Sequence, residues 1–233
     1  MDNIFNKIGL YEFFGTLLPG LFFLLSLIMI DIPIVKHITY PNSEIFKIIS
    51  LVLFSYIIGI LLHEIASIFD TKFTKLRLTP RTTFLKENVV FKDIELENIQ
   101  THAREILNTS EGFTNFSDKH CSAMFFECKA FLENENKMAK ADILDALFSM
   151  SFTFIICNIA ILICAAILFV YEILHEYNYD TIKFIFILCY TILSCTIFYK
   201  KAKRYSEIRV RTIFRQYIAF KKTLNSQNNK ASV

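Results

Sequence analysis

The run Phe148–Tyr171, FSMSFTFIICNIAILICAAILFVY, contains no Asp, Glu, Lys or Arg. A helix needs roughly 20 apolar residues at 1.5 Å each to cross about 30 Å of hydrocarbon. This stretch meets that length with room to tilt, and it predicts a membrane span. Three further apolar runs stand beside it, at Phe14–Ile30, Ile48–Leu62 and Phe184–Tyr199. They are shorter and need their flanks: Tyr11–Phe13 for the first, Ile65–Ile68 for the second and Tyr199 for the fourth. The chain as a whole is 54% hydrophobic with mean hydropathy +0.42, against about 45–50% apolar in soluble domains. The excess sits in these blocks. The fold expected is all-α, with four transmembrane helices arranged as two hairpins. The first run follows no basic n-region and precedes no small-x-small cleavage site, so it is expected to be a retained span.

Charge sets the direction of crossing, because Lys and Arg near span ends stay on the cytoplasmic side. Residues 71–86 carry Lys72, Lys75, Arg77, Arg81 and Lys86 with no acid. The stretch 200–222 carries nine basic residues and one acid, Glu207. The loop 172–182 has Glu172, Glu176 and Asp180 and no Lys or Arg, and the loop 31–47 is balanced. Both termini and the central segment are therefore expected in the cytoplasm, and the two short loops outside. The divisions that follow are a first hairpin over 1–69, a cytoplasmic helical segment over 70–146, a second hairpin over 147–199, a basic cytoplasmic helix over 200–224 and a disordered polar tail over 225–233.

The central segment is nearly neutral, with eleven basic and thirteen acidic residues. Ile94, Ile99, Ala103, Ile106 and Leu107 share one helical face, and so do Cys121, Met124, Phe125, Cys128, Phe131 and Leu132. Val89–Phe91 fits a short strand or an extended linker. The segment is small for a domain of its own, so its apolar faces are expected to pack on each other and on the basic helix. The fourth span is expected to continue out of the bilayer as that helix. Of the six cysteines, Cys157, Cys164, Cys189 and Cys195 lie in spans. Cys121 and Cys128 fall in a segment placed in the reducing cytoplasm, so no structural disulfide is expected.

Few residues carry chemistry. His63-Glu64-Ile65-Ala66-Ser67 lacks the second histidine of a helical zinc-protease motif; an intramembrane enzyme would rest on this pair alone. The structural alternative makes Tyr56, Gly59, His63 and Ser67 a small and polar stripe for helix packing or for lining a pore. Asn158 needs a partner in lipid, and Thr191 and Ser194 of the fourth span are candidates. No ionisable group lies deep in a span, which argues against a proton-coupled pump or voltage sensor. Pro19 and Gly20 interrupt the first run, so Tyr11–Leu18 is expected along the interface, with Pro19 opening the true span. His120, Cys121 and Cys128 match no common zinc frame. Nothing calls for a catalytic residue, metal or cofactor.

The basic stretch, Lys200, Lys201, Lys203, Arg204, Arg209, Arg211 and Arg215, fits anionic lipid at roughly 1 kcal/mol per residue near the surface. A docking surface for a cytosolic protein or ribonucleoprotein is the alternative. Arginines interleaved with Phe214 and Tyr217 would also suit nucleic acid directly, a reading not favoured.

Three motifs remain: Tyr11-Glu12-Phe13-Phe14-Gly15-Thr16-Leu17-Leu18-Pro19-Gly20, then Tyr56-Ile57-Ile58-Gly59 with Ser67, then Arg211-x-x-Phe214-Arg215-x-Tyr217. Together they resemble a group of small bacterial four-span proteins found in phage-defence neighbourhoods. The layout is also similar to membrane accessory proteins encoded beside type VI CRISPR effectors. The resemblance implies a non-enzymatic inner-membrane effector or accessory subunit that oligomerises and perturbs the membrane under a cytosolic partner's control. A passive anchor or scaffold for that partner is the competing expectation. The resemblance supplies no catalytic residues.

Overall fold

The computed structural model describes residues 9, 12–30, 44–86, 90–91, 93–106, 116–174 and 181–231. It is all-helical, and no strand occurs among the described residues. The elements are α1 (Phe13–Met29), α2 (Glu44–Phe69), α3 (Thr79–Thr83), α4 (Asp93–Ile106), α5 (Asp118–Asn134), α6 (Ala139–Leu174) and α7 (Thr181–Ala231). Three helical stretches are long and apolar enough to cross a membrane: Ile45–Thr83, Ala139–Leu174 and Thr181–Thr223. α1 is apolar but shorter; at 1.5 Å per residue it extends only about 25 Å. The chain divides into two compact units. One comprises residues 1–73 and 146–202 and holds the apolar helices; the other comprises 74–145 and 203–233.

Pro19 does not separate an interfacial helix from a span, as the sequence predicts; Phe13 through Met29 is one helix. Its first turn is widened, with the Leu18 amide donating to the Phe13 carbonyl five residues back. Proline has no amide to donate and its ring crowds the carbonyl four residues earlier. A π turn just before it absorbs both effects. Thr16 and Ser26 donate their hydroxyls to the carbonyls of Glu12 and Phe22, which hides polar groups that hydrocarbon would not solvate. Tyr11 and the stretch 31–43 lie outside the described residues.

A second π turn, Asp70–Thr74, follows α2, and Lys75 after it has φ +50°. The Leu78 and Thr79 amides both donate to the Lys75 carbonyl, at 3.1 and 2.8 Å, which starts the turn into α3. Asn136, with φ +54°, closes α5: its own amide and that of Lys137 donate to the Glu133 and Leu132 carbonyls, at 3.0 and 2.8 Å.

The second unit has a proper core. Phe84, Leu85, Val90 and Phe91 meet the inward faces of α4 and α5, and Val210, Ile213, Phe214 and Tyr217 of α7 close it. Phe214 stacks on Phe84 with ring centroids 4.2 Å apart and meets the edges of Phe91 and Phe125. Val90 and Phe91 form a turn and not a strand; Val89 is outside the described residues. α5 begins with a reciprocal cap. The Ser117 hydroxyl accepts the His120 amide at 3.3 Å, and His120 Nδ1 accepts the Ser117 amide at 3.4 Å. His120 is thereby a capping residue, while Cys121 and Cys128 face the core.

α7 continues as helix through 225–231, where polar composition alone predicts disorder. Extending an existing helix avoids the cost of nucleation, and the stretch holds neither Gly nor Pro. Residues 232–233 lie outside the described set.

Candidate functional site

In the apolar unit the closest approach is between α1 and α2. A Cβ placed on Gly20 would collide with the Ser55 carbonyl and stand 2.8 Å from the Gly59 nitrogen. One placed on Gly59 would collide with the Thr16 backbone. Thr16-x-x-x-Gly20 on one helix and Ser55-x-x-x-Gly59 on the other are a matched pair of small-x-x-x-small motifs, the pattern that lets membrane helices touch backbone to backbone. Gly20 is thus a contact residue more than a kink residue. The buried stripe on α2 is Ser55, Gly59, Leu62 and Ala66. The sequence reading selects Tyr56, Gly59, His63 and Ser67 instead. Of these, Gly59 is in the contact, His63 is half-buried at its edge, and Tyr56 and Ser67 are exposed. Both stripes pass through Gly59, and only the position of α1, with Thr16 and Gly20, decides between them.

α6 is the hub of this unit. His63 Nδ1 lies 3.2 Å from the Thr153 hydroxyl, joining α2 to α6. The Cys157 thiol donates to the Pro19 carbonyl at 3.7 Å, joining α6 to α1, and Phe154 meets Phe22 edge-on. Toward α7, Cys195 reaches the Ile155 carbonyl at 3.9 Å, Phe154 stacks on Phe198, and Phe169 stacks on Phe184. This antiparallel register puts Asn158 opposite Thr191–Cys195. Asn158, Thr191 and Ser194 are all buried. The Asn158 amide nitrogen donates to the Phe154 carbonyl of its own helix at 2.7 Å, so its partner there is backbone and not Thr191 or Ser194. The Asn158 Oδ1, Thr191 hydroxyl and Ser55 hydroxyl are buried with no hydrogen-bond partner among the described residues.

The basic stretch of α7 divides into two groups. Lys200, Lys201, Lys203 and Arg204 are exposed. Arg209, Arg211 and Arg215 are committed within the chain. Arg209 Nη1 lies 2.9 Å from Asp145 Oδ1, and Arg77 Nη2 reaches the same oxygen at 3.1 Å. Arg211 Nε donates to the Val90 carbonyl at 2.7 Å. Arg215 grips Glu95 through Nε and Nη2, at 3.0 and 2.6 Å. The buried Ser206 hydroxyl donates to the Leu76 carbonyl at 2.8 Å. Burial lowers the pKa of Arg209, and the carboxylate of Asp145 opposes that shift. Phe214 and Tyr217, which an interleaved nucleic-acid surface would need exposed, are in the core. Arg77 and Asp145 escape a sequence reading because ion pairing between positions 68 residues apart leaves no periodic trace. The small-x-x-x-small pair at Thr16–Gly20 and Ser55–Gly59 was visible in principle.

Comparison with protein-family models, with curated proteins and with solved structures gives no match.

Proposed function

We propose that this chain is a four-span protein of the bacterial inner membrane, its termini and second unit cytoplasmic, acting as a non-enzymatic effector or accessory subunit in antiviral defence. A cytosolic protein or ribonucleoprotein would engage the second unit, and oligomers of the apolar unit would perturb the bilayer. The observation that carries this is α7, one unbroken helix over Thr181–Ala231. Its first part is apolar and outward-facing, with Ile182, Ile185, Phe186, Ile192 and Leu193 exposed. Its later part is core to the second unit. A partner that shifts the second unit moves an element shared with the spans. The antiviral placement is supported by the resemblance of the Tyr11–Gly20, Tyr56–Gly59 and Arg211–Tyr217 motifs. The outward apolar face of α2, including Ile57, Leu61, Ile65 and Ile68, supports contact with lipid or a second copy.

The anchor reading has an observation of its own. Gly59 and Asn158, the residues best suited to joining copies, are buried within a single chain. Overexpression in cells carrying a membrane-potential dye separates the two. Depolarisation that depends on the second unit supports the effector. Intact potential, with a cytosolic protein co-purifying, supports the anchor.

A further inference from the structure

One face of α7 is not used by the core of the second unit. Gln216, Ala219, Phe220 and Thr223 recur there at helical spacing, and with Lys137 they line an open cleft of about 290 Å³. All five residues belong to the second unit. The exposed Ala219 leaves room where a longer side chain would fill it. Lys137 enters from the turn between α5 and α6, where its amide is fixed to the Leu132 carbonyl at 2.8 Å. Phe220 packs against Phe131, with ring centroids 5.9 Å apart.

Three groups in this cleft lack the partner their chemistry calls for. The Lys137 ammonium makes no ion pair among the described residues. It rests 5.9 Å from the centroid of Phe220, at the outer limit of a cation–π contact. The Gln216 Oε1 is buried with no hydrogen-bond partner among the described residues. The last torsion of a glutamine is soft, so the amide can turn this oxygen toward the cleft. Phe220 is only half-buried. An inorganic anion would serve the lysine alone, and an alkyl chain the phenyl ring alone. An aromatic carboxylate would serve both and leave the amide oxygen without a donor, a state that buried polar atoms rarely keep. A nucleoside phosphate brings all three: a base to stack on the ring, an N–H on the base edge for the amide oxygen, and a phosphate for the ammonium. Size agrees, because the cleft stands near the lower end of small-ligand sites, roughly 300–1,000 Å³, which suits one nucleotide and not a longer strand. We infer that this cleft binds a single nucleoside monophosphate, with the base on Phe220, its edge on Gln216 and its phosphate on Lys137. The site lies within one unit and does not rest on the membrane reading.

Full-length protein in detergent should be titrated calorimetrically with the 5′-monophosphates of adenosine, guanosine, cytidine and uridine. The four nucleosides and inorganic phosphate are the controls. At least one monophosphate should bind about ten-fold or more tightly than both its own nucleoside and phosphate. Lys137→Gln should weaken that binding about ten-fold, and Ala219→Leu, which fills the cleft from an exposed position, should abolish it. Lys119→Gln, at an exposed position outside the cleft, should leave it unchanged. Far-UV circular dichroism checks each variant; if Ala219→Leu loses helicity, Lys137→Gln, on an exposed turn, decides. No monophosphate exceeding its nucleoside and phosphate overturns the site, and so does undiminished binding in a folded Lys137→Gln or Ala219→Leu. Phosphate binding as tightly as the nucleotides would make the cleft a plain anion site, and an equal loss in Lys119→Gln would reveal general charge attraction. Either result overturns the nucleotide assignment.

Discussion

At the scale of single residues, the strongest constraint is the absence of a side chain at Gly20 and Gly59. Any Cβ there meets backbone and not a movable side-chain tip, so the neighbouring helix itself must shift. Gly59→Leu should therefore disrupt the fold of the single chain, and not merely its association with other copies. Overpacking typically costs about 1–3 kcal/mol, and a clash with backbone belongs at the upper end. Gly9→Ala is the control, since a Cβ at Gly9 meets nothing within 4 Å. Thermal unfolding in detergent checks the pair: Gly59→Leu should fall by several degrees and Gly9→Ala should stay within a degree of wild type. A second consequence is pH dependence. Burial pushes the Tyr217 phenol up to about 12, and it also raises the thiols of Cys121 and Cys128. Between their ordinary range and these raised values the unfolded chain releases protons that the folded chain keeps. Stability from these groups is thus complete below about pH 8.5 and lost progressively as pH climbs toward 12. Near-UV circular dichroism across pH 8–12 should show the second unit loosening, and Cys128→Ala should move that onset upward. An onset unchanged in a folded Cys128→Ala variant would show that another group governs it.

At the scale of elements, α7 ties the chain together. Val210, Ile213, Phe214 and Tyr217 fill the core of the second unit, and Arg209, Arg211 and Arg215 bond to Asp145, Val90 and Glu95. Truncation after Lys200 should leave 74–145 without a core wall, so limited proteolysis should degrade that region rapidly in the truncated protein and slowly in the intact one. Equal resistance would mean that α4 and α5 form a core without α7. The helices themselves were legible, because burial imposes its 3.6-residue period on Ile99 and Ala103, on Cys121, Met124, Phe125 and Cys128, and on the long apolar runs. The role of the basic stretch was only half legible. Lys200 to Arg204 keep the exposed, charged character their composition announces, whereas Arg209, Arg211 and Arg215 look the same in sequence and are used internally. Which face of α7 turns inward depends on Phe84, Phe91 and Phe125, far away in the chain. The face of α2 that meets α1 runs through Ser55 and Gly59, and it too depends on Thr16 and Gly20, far away in the chain. The π turn ahead of Pro19 is likewise a local relaxation that a rule about proline breaking helices does not anticipate.

At the scale of the whole molecule, three stretches long and apolar enough to span a membrane are in hand, and α1 is shorter. In the proposed arrangement α1 is a fourth crossing, so that the N-terminus lies on the same side as residues 71–86, which are strongly basic, as are 200–222. An odd number of crossings before 71–86 would put the N-terminus opposite to that segment. The two apolar stretches between 71–86 and 200–222 leave both basic segments on one side, as the retention of Lys and Arg on the cytoplasmic face requires, whether or not α1 crosses. Single cysteines introduced along the chain, reacted with an impermeant maleimide in intact cells and again after lysis, test this most directly. Positions in 34–44 and 174–180 should react in intact cells; positions in 72–145 and 205–230 should react only after lysis. Labelling of the central segment from outside, or protection of 34–44 until lysis, would contradict the two-hairpin arrangement on which the proposed function depends.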